Sequence, residues 1–358
     1  MAFVTLKDVA QRAGVSAAAV SQILHNKGRF SSDTRQLVLK TVEEMGYVPD
    51  QRARSMRSSD TKTVGLLVPD LRNAYFADLV SSMEEELYDH GFSTLIGTSA
   101  ETVERQDAFI ENMLGQRIDG AIVVPQGAAS QGIKSLIARD LPLVFVDRRV
   151  QGVESVPFVV SNPYTGIRAA VEELISCGHR HIGYMAHSSL ESYSINERET
   201  AFRTIAHELL REGEGVVADC DSTYESRCEA VDYLLKRGVT AVICAYSPDA
   251  ITIIGALHDY GIEIGKQISL ISFDDIAPFR LMTPNISVIS QRAEQMGRKG
   301  VELLLEAIQY GVRHGGSTVR VPTVYLSRDS VSTVNTSFQK ISGLNAASFS
   351  HVMMFSEI

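Results

Sequence analysis

Apolar residues in the first 46 positions recur at helical spacing and predict three short helices. Each helix has its own start and stop signals, because small polar residues cap helix N-termini and glycine ends helices. These signals are Thr5 with Asp8 and then Gly14 for the first helix, Ser16 to about Leu24 for the second, and Ser31 or Ser32 with Gly46 for the third.

An arginine-rich segment with little apolar surface follows these helices. Pro49 restarts the chain, and residues 50–57 carry three arginines and have room for two helical turns. Isolated helices shorter than about 12 residues are unstable in water. We therefore predict a hinge and linker over residues 49–62, whose helix becomes ordered only against a partner.

After Thr63, short apolar runs alternate with amphipathic helical segments, which is the pattern of βαβ units. The runs form two sets, so we predict an α/β fold with two parallel-sheet lobes. The sets are Val64 to Val68, Thr94 to Gly97, Ala121 to Val124 and Leu143 to Val146, and then His181 to Met185, Val216 to Val217, Ala241 to Cys244 and Ile268 to Phe273. A β-rich stretch covers residues 318–326, and the aperiodic Ser/Asn-rich residues 330–358 predict a disordered tail.

Charge is distributed unevenly along the chain. The net charge is −9, but residues 1–62 hold ten Lys/Arg and six Asp/Glu, which leaves −13 on the remainder. Only the basic N-terminal part suits phosphate groups. No apolar run approaches the roughly 18 residues of a membrane span, and the N-terminus has no secretory signal, so we expect a cytoplasmic protein without a membrane partner.

The first two predicted helices have the spacing of a helix-turn-helix. Small Ala10 allows close approach, Gly14 permits the turn, and Val15 and Val20 hold the second helix. Packing of a simple helical bundle is the alternative interpretation. The predicted DNA contacts in this part are Thr5, Ser16, Ala17, Ala18, Ser21, Gln22, His25 and Asn26. Gln22 suits an adenine edge, and Ala17 or Ala18 suits a thymine methyl group.

Ordered motifs make the chain resemble the lactose-repressor (LacI/GalR) family. They are TLKDVAQRAGVSAAAVS, TRQLVLKTVEEMGYVP and ARSMR. The resemblance implies a sequence-specific transcriptional repressor that binds a near-palindromic double-stranded DNA operator as a homodimer. It aligns Met56 with the leucine that the family's hinge helix inserts into the minor groove, with Arg54 and Arg57 on either side. Because Ala19 and Gln22 stand where the family usually has threonine and arginine, the half-site sequence does not carry over.

The resemblance continues to about Asp329 and is shared there with periplasmic sugar-binding proteins. It implies a headpiece over 1–48, a hinge over 49–62 and an effector-binding domain over 63–329, whose two lobes are joined by three crossings. The first lobe takes about 63–162 and 293–325, and the second takes about 163–292. The effector is expected between the lobes, at the carboxyl ends of the strands.

Polar and aromatic residues after the strands are the expected effector contacts. Asn73, Tyr75 and Phe76 resemble the segment with which sugar-binding relatives hold a sugar ring. The alternative is core packing, which we consider weaker because two adjacent aromatic residues cannot both face the interior of one helix. Asp147 and Arg148 end a strand and suit vicinal hydroxyls, with a structural ion pair as the alternative.

Three further residues complete the predicted effector site. Arg198 and Asp274 match the effector arginine and aspartate of the family. Asp249 either contacts the effector or caps the helix that follows it. An aromatic pair with acidic and basic partners and no basic cluster suits a neutral pentose, hexose or nucleoside.

Two other functions, an enzyme and a transport-associated binding protein, are compatible with parts of the sequence. An enzyme is disfavoured because GxGxxG, GxxxxGK[ST], GxSxG and HExxH motifs are absent, so we expect no catalytic residue and no cofactor. A transport-associated binding protein would need export and would not need a basic helical module. The four cysteines are irregularly spaced and suit reduced core thiols, so we expect no metal site.

Overall fold

The computed structural model describes residues 4–48, 60–190, 192–311 and 316–334. The predicted hinge helix, with Arg54, Met56 and Arg57, and residues 335–358 of the predicted tail lie outside these ranges. The expectation of a disordered tail is wrong for residues 330–334, because the buried Ser330 hydroxyl donates to the Leu270 carbonyl at 2.6 Å and the Val334 amide donates to the Cys177 carbonyl at 2.9 Å. The chain divides after Thr61 into two compact units, a small N-terminal one and a large C-terminal one. Within the described ranges, no helix has both the length and the apolar character of a membrane span.

The N-terminal unit has the three predicted helices with the predicted caps. They are α1 (Leu6–Ala13), α2 (Ala17–Leu24) and α3 (Ser32–Met45). Thr5 and Asp8 form a reciprocal capping box, in which the Thr5 amide donates to Asp8 Oδ2 at 2.8 Å. Gly14 and Gly46 end α1 and α3 with φ of 65° and 60°, a conformation that costs glycine little.

A small apolar core holds these three helices together. Its buried members are Val9, Ala10, Ala13, Val20, Ile23 and Val38. They come from the inner face of each helix at helical spacing. The apolar residues whose spacing predicts the helices therefore also form the core between them. Arg35 of α3 donates to Asn26 Oδ1 at 2.7 Å and ties α3 to the residues after α2.

The first lobe of the large unit is built on a six-stranded parallel sheet with the order β11-β5-β4-β3-β1-β2. Its elements are β1 (Thr63–Val68), α4 (Ala74–Asp89), β2 (Ser93–Thr98), α5 (Val103–Gly115), β3 (Gly120–Val123), α6 (Gln131–Ile137), β4 (Leu143–Val146) and β5 (Phe158–Asn162), with α12 (Ala293–Tyr310) and β11 (Thr318–Pro322) returning later in the chain. Strands β3 and β4 are buried throughout, because helices cover both faces of the sheet.

The second lobe has a similar sheet with the order β12-β10-β9-β8-β6-β7. Its elements are α7 (Pro163–Ser176), β6 (Ile182–Ala186), a 3₁₀ turn (Ser188–Leu190), α8 (Tyr193–Leu209), β7 (Gly215–Asp219), α9 (Tyr224–Lys236), β8 (Ala241–Cys244), α10 (Ser247–Asp259), β9 (Ser269–Phe273), α11 (Ala277–Leu281), β10 (Ser287–Ser290) and β12 (Val324–Leu326). The predicted two-lobed α/β fold is thereby confirmed. Strands β5 and β10 were not predicted.

The C-terminal β-rich stretch is divided between the two sheets. Strand β11 pairs in parallel with β5, whereas β12 pairs antiparallel with β10, so residues 324 and 325 lie in the second sheet and not in the first lobe to which they were assigned. Thr323 turns the chain between them and donates through Oγ1 to the Asn162 carbonyl at 2.8 Å. The chain therefore passes between the lobes three times, near residues 162, 291 and 323.

Candidate functional site

Parallel sheets bring the predicted effector residues to the edge where the two lobes meet. Asn73 caps α4 after β1, Asp147 follows β4, and Asp274 follows β9. Asp147 and Asp274 have φ of 66° and 68°, which turns the chain sharply at the end of each strand. Aspartate tolerates this left-handed conformation better than most residues other than glycine. Both carboxylates are consequently held at the strand ends, and both are buried.

In the first lobe, Tyr75 and Asp147 form a hydrogen-bonded pair. The Tyr75 hydroxyl donates to Asp147 Oδ1 at 2.8 Å and lies 3.6 Å from the sulfur of Met296. Burial, followed by the charges of Asp147 and Asp274, raises the Tyr75 pKa well above its usual value. The phenol therefore remains a neutral donor beside the carboxylate.

In the second lobe, Asp274 is held by two neutral donors. Gln291 donates from Nε2 to Asp274 Oδ1 at 2.7 Å, and Ser247 donates to Oδ2 at 3.3 Å. Burial raises the pKa of Asp274 to about 6, although the charge of Arg198 and the bond from Gln291 act in the opposite direction. At neutral pH the Asp274 carboxylate is therefore mostly ionised although burial disfavours its charge. Further hydrogen-bond donors would stabilise the ionised form.

Arg198 is buried on α8 next to the end of β8. Its Nη1 donates to the Ala245 carbonyl at 2.6 Å, and its guanidinium lies over the Phe273 ring at 4.5 Å. Phe273 directly precedes Asp274, so Arg198 lies on the Asp274 side of the cleft, and its positive charge acts to lower the pKa of both Asp274 and Tyr75. The structure therefore brings Tyr75, Asp147, Arg198 and Asp274 together.

Arg148 is held mainly by groups other than its neighbour in sequence. It makes a two-pronged pair with Glu101, at 2.7 and 3.0 Å, and donates to Gln126 Oε1 at 2.6 Å. Its Nε is 3.8 Å from Asp147 Oδ2 without a hydrogen bond. Arg148 is therefore held in structural ion pairs with Glu101, a partner that the sequence does not predict, and with Asp147, as the alternative interpretation expects.

Tyr75 and Phe76 are both buried in the core, so the expectation that two adjacent aromatic residues cannot both face the interior is wrong. Their ring centroids lie 5.1 Å apart in an edge arrangement at the first turn of α4, where the helix packs on two sides. Phe76 also lies 5.8 Å from the Arg148 guanidinium.

Asp249 is not free to act as the predicted effector contact. Its carboxylate is fully buried and accepts from Arg227 Nε and His187 Nδ1, each at 2.8 Å, with Cys220 Sγ at 3.6 Å. It also does not cap α10, because it lies inside the first turn and Tyr246 holds the cap position. Instead, Ser247, the first residue of α10, donates to Asp274.

Three of the predicted effector residues carry buried donor atoms with no hydrogen-bond partner. These atoms are Asn73 Nδ2, Arg148 Nε and Arg198 Nε. A buried unpaired donor costs about 1–3 kcal/mol, so such groups are normally satisfied by something. A hydroxylated molecule between the lobes can accept from these donors and donate to the Asp147 and Asp274 carboxylates.

A cavity of about 530 Å³ opens along the same boundary between the lobes. Tyr75 and Asp78 line it from the first lobe, Asp274 and Arg280 from the second, and Gln291 from the crossing segment. Among the predicted effector residues, only Tyr75 and Asp274 belong to its lining.

Sequence reasoning missed several residues that shape this site. Gln291 links the lobes, because its Oε1 accepts from Ser161 of β5 at 2.7 Å while its Nε2 donates to Asp274. Nothing in the local sequence distinguishes Gln291 from a surface glutamine. Its role depends on a crossing that only the folded chain creates.

The predicted DNA-contacting strip is largely exposed on the N-terminal unit. Ala18, Gln22, His25 and Asn26 are exposed, as are Thr5 and Ser16 at the helix starts, whereas Ser21 is half-buried. Ala17, predicted to face outward, is half-buried against the headpiece core, so Ala18 is the better candidate for a thymine methyl group. Ser16 Oγ accepts from the Ala19 amide at 3.1 Å, which leaves its hydroxyl proton free to donate.

Comparisons with known proteins match both units. Residues 5–50 match the model for bacterial regulatory proteins of the lacI family, and residues 171–331 match the periplasmic binding protein-like domain. The HTH-type transcriptional repressor PurR of Erwinia tasmaniensis is 31% identical over 338 residues, which covers 91% of this chain and 96% of that protein. This chain belongs to the lacI family. As a lacI-family member it is a DNA-binding transcriptional regulator with a ligand-binding domain.

Solved structures of lacI-type regulators have the same fold. The lac repressor dimer bound to operator and the anti-inducer ONPF has a TM-score of 0.77 at 23% identity, covering 93% of this chain and 100% of that chain. The complex of the transcriptional regulator CelR with cellobiose has a TM-score of 0.66 at 25% identity, covering 92% of this chain and 100% of that one.

Proposed function

We propose that this regulator is a repressor controlled by a neutral pentose, hexose or nucleoside bound between Tyr75 and Asp147 of the first lobe and Arg198 and Asp274 of the second. The observation that carries the proposal is the set of buried donors without partners beside two buried carboxylates. A vicinal diol can accept hydrogen bonds from the unpaired donors and donate hydrogen bonds to the two carboxylates. The cellobiose in the CelR complex is a neutral sugar and supports the same chemistry.

Asn73, Phe76 and Arg148 complete the proposed effector site. Asn73 and Arg148 each offer an unpaired donor, and Phe76 supplies apolar surface beside Arg148. Ser247 and Gln291 take the place of Asp249, because they hold the Asp274 carboxylate in position. No catalytic role is assigned to any of these groups, and we propose a non-enzymatic regulator that acts in the cytoplasm, where its operator lies.

Control of DNA binding would pass from the cleft through the hinge. The effector contacts both lobes, so its binding favours one arrangement of the lobes over another. In a homodimer this changes the spacing of the two hinge segments over residues 49–57, whose helices either order on the operator or lose their order. Coupling of this kind is typically about 1–3 kcal/mol.

A thermal-shift screen of neutral sugars and nucleosides tests the proposal. A true effector should raise the melting temperature of the wild type by mass action. Asp274→Ala should abolish this shift and the effector response while leaving operator binding. Glu302→Ala, which removes an exposed carboxylate of α12, is the control and should keep both.

Met56→Gly tests the hinge separately. It should weaken specific operator binding and leave the effector shift intact, because residue 56 belongs to the proposed hinge and not to the cleft. A full effector response in Asp274→Ala would disprove the cleft assignment, and unchanged operator affinity in Met56→Gly would disprove the hinge assignment.

A further inference from the structure

Three side chains with metal-binding atoms converge in the second lobe, outside the proposed effector site. His187 follows β6, Cys220 follows β7, and Asp249 lies in the first turn of α10. They are 0%, 4% and 0% exposed. Because β6 and β7 are parallel neighbours and α10 follows the next strand, the three segments meet at one edge of the sheet.

The donor atoms of this cluster lie at nearly the separations of a metal site. His187 Nδ1 is 2.8 Å from Asp249 Oδ2, and Cys220 Sγ is 3.6 Å from the same oxygen and 3.8 Å from the same nitrogen. Tetrahedral zinc with bonds of about 2.0–2.3 Å holds its ligand atoms roughly 3.3–3.6 Å apart. Shifts of a few tenths of an ångström therefore convert the observed cluster into a coordination sphere.

Neighbouring groups orient two of these donors. Arg227 Nε binds Asp249 Oδ1 at 2.8 Å and so leaves Oδ2 to face His187 and Cys220. The other ring nitrogen of His187, Nε2, is 3.3 Å from Ser222 Oγ. In the metal-free cluster Nδ1 donates to Asp249, and a tautomer that carries its proton at Nε2, facing Ser222 Oγ, would free the Nδ1 lone pair for a cation. Partners of this kind commonly support metal ligands.

The cluster lies just beneath the surface. Ser222 and Asp219 are exposed, and Asp221 is half-buried in the same loop. The carboxylates of Asp219 and Asp221 give the loop a negative charge that favours the approach of a cation. The exposed residues of this loop therefore lie between the cluster and solvent.

We propose that His187 Nδ1, Cys220 Sγ and Asp249 Oδ2 bind a divalent zinc-type metal ion, with water at the fourth position. A mixed nitrogen, sulfur and oxygen set suits Zn²⁺, which accepts all three donor types. On binding, the thiol proton leaves to solvent as the metal–sulfur bond forms, and the thiolate and carboxylate balance the charge of the ion. The ion would join the ends of β6 and β7 to α10 and so stabilise the second lobe.

This site also adjoins the effector cleft. The ring of His187 contacts that of Tyr246 at 5.6 Å in an edge arrangement, and Tyr246 precedes Ser247, which binds Asp274. A metal-dependent change in effector affinity is therefore expected in addition to the change in stability.

The test titrates Co²⁺ into the chelator-treated full-length protein and follows its absorption. Thiolate coordination should appear as a ligand-to-metal charge-transfer band in the near ultraviolet, together with tetrahedral bands in the visible, and Zn²⁺ should remove both by competition. Cys220→Ser should lose the charge-transfer band. Cys177→Ser is the matched control, because Cys177 is a half-buried thiol at the end of α7 outside the cluster, and it should keep the band.

Two further measurements test metal binding without the Cys220→Ser variant, which could fail to fold. Zn²⁺ should raise the melting temperature of the wild type, and the exposed variant Ser222→Ala should bind Co²⁺ about 10–100-fold more weakly, as is typical of a lost supporting contact. Absence of a charge-transfer band in the wild type, or an equal band in Cys220→Ser, would overturn the proposal. The cluster would then be a hydrogen-bonded network around the Asp249 charge.

Discussion

The buried charge of Asp274 lowers the stability of the fold, although the proposed effector site uses this carboxylate. Its carboxylate is buried with a pKa raised to about 6, even though Arg198 and two neutral donors surround it. A carboxylic acid whose pKa rises on folding makes the charged form unfavourable in the native state. This cost is present above the folded pKa and is relieved as the pH falls through it.

Asp274→Asn should therefore stabilise the effector-free protein at pH 7 by roughly 1–3 kcal/mol, since each pKa unit corresponds to about 1.4 kcal/mol. The gain should shrink as the pH falls through 6, because the wild-type carboxyl then takes up a proton. Urea unfolding of both proteins at pH 7.5 and pH 5 measures the difference.

Asp275→Asn is the matched control at the adjacent position. The Asp275 carboxylate accepts from Arg328 at 2.6 Å and Arg280 at 3.2 Å, so its loss should destabilise the protein at pH 7. If Asp274→Asn lowered stability as Asp275→Asn should, the Asp274 carboxylate would be favourable in the fold and our account of its burial would be wrong.

Gln22 is the residue from which we expect direct reading of a base. It is exposed on α2, and its amide can pair with an adenine edge. Gln22→Ala should weaken binding to the cognate operator by about 1–3 kcal/mol and leave the salt dependence unchanged, because no phosphate contact is lost. Gln36→Ala, on the exposed side of α3, should have little effect in the same mobility-shift titration.

At the scale of elements, the first lobe depends on the close packing of α4 and α12. The buried Gly297 of α12 allows this approach, since a Cβ there would lie 2.8 Å from Ser82 Oγ and 3.1 Å from the Leu79 carbonyl. Ser82 is not free to move away, because its hydroxyl donates to the Glu294 carbonyl at 2.8 Å. The two helices also carry Tyr75 and Met296, so their spacing positions one side of the cleft.

Gly297→Ala should consequently destabilise the large unit by about 1–3 kcal/mol, the usual cost of overpacking, and weaken effector binding. Gly255→Ala is the contrasting variant, because a Cβ at this exposed position inside α10 meets nothing within 4 Å. It should stabilise the protein by about 0.5–1 kcal/mol through helix propensity. Equal changes in unfolding free energy for the two variants would contradict this packing argument.

For the whole molecule, the separation of charge assigns DNA binding to one unit. Residues 1–62 carry +4 and the remainder carries −13, and the chain divides into compact units after Thr61. DNA is strongly anionic, so the larger unit should repel it while the headpiece attracts it.

Deletion of residues 1–59 should therefore abolish binding to any duplex and preserve the thermal shift caused by the effector. The intact protein should bind its operator with an affinity that falls linearly with salt on logarithmic axes, because neutralised phosphates release counterions. Filter binding across a salt series measures the slope. Residual duplex affinity in the shortened chain would show that the large unit also contacts DNA.

Local signals in the sequence determined the elements of this protein. The caps at Thr5, Ser16, Gly14 and Gly46 act within a few residues, and apolar periodicity is a property of one segment, so both can be read without the fold. The position of Asp274 directly after a strand likewise indicated a cleft residue, because parallel strands end at one edge.

Tertiary structure alone decided which groups meet. Arg148 pairs with Glu101, Asp249 with His187 and Arg227, and residues 318–326 divide between two sheets. The partners in these pairs are far apart in sequence and are brought together by strand order and by the three crossings. Strand β10 was missed for a similar reason, since its four residues are recognisable as a strand only through pairing with β9 and β12. Partner choice is a long-range property of the folded chain, and no short segment of sequence encodes it.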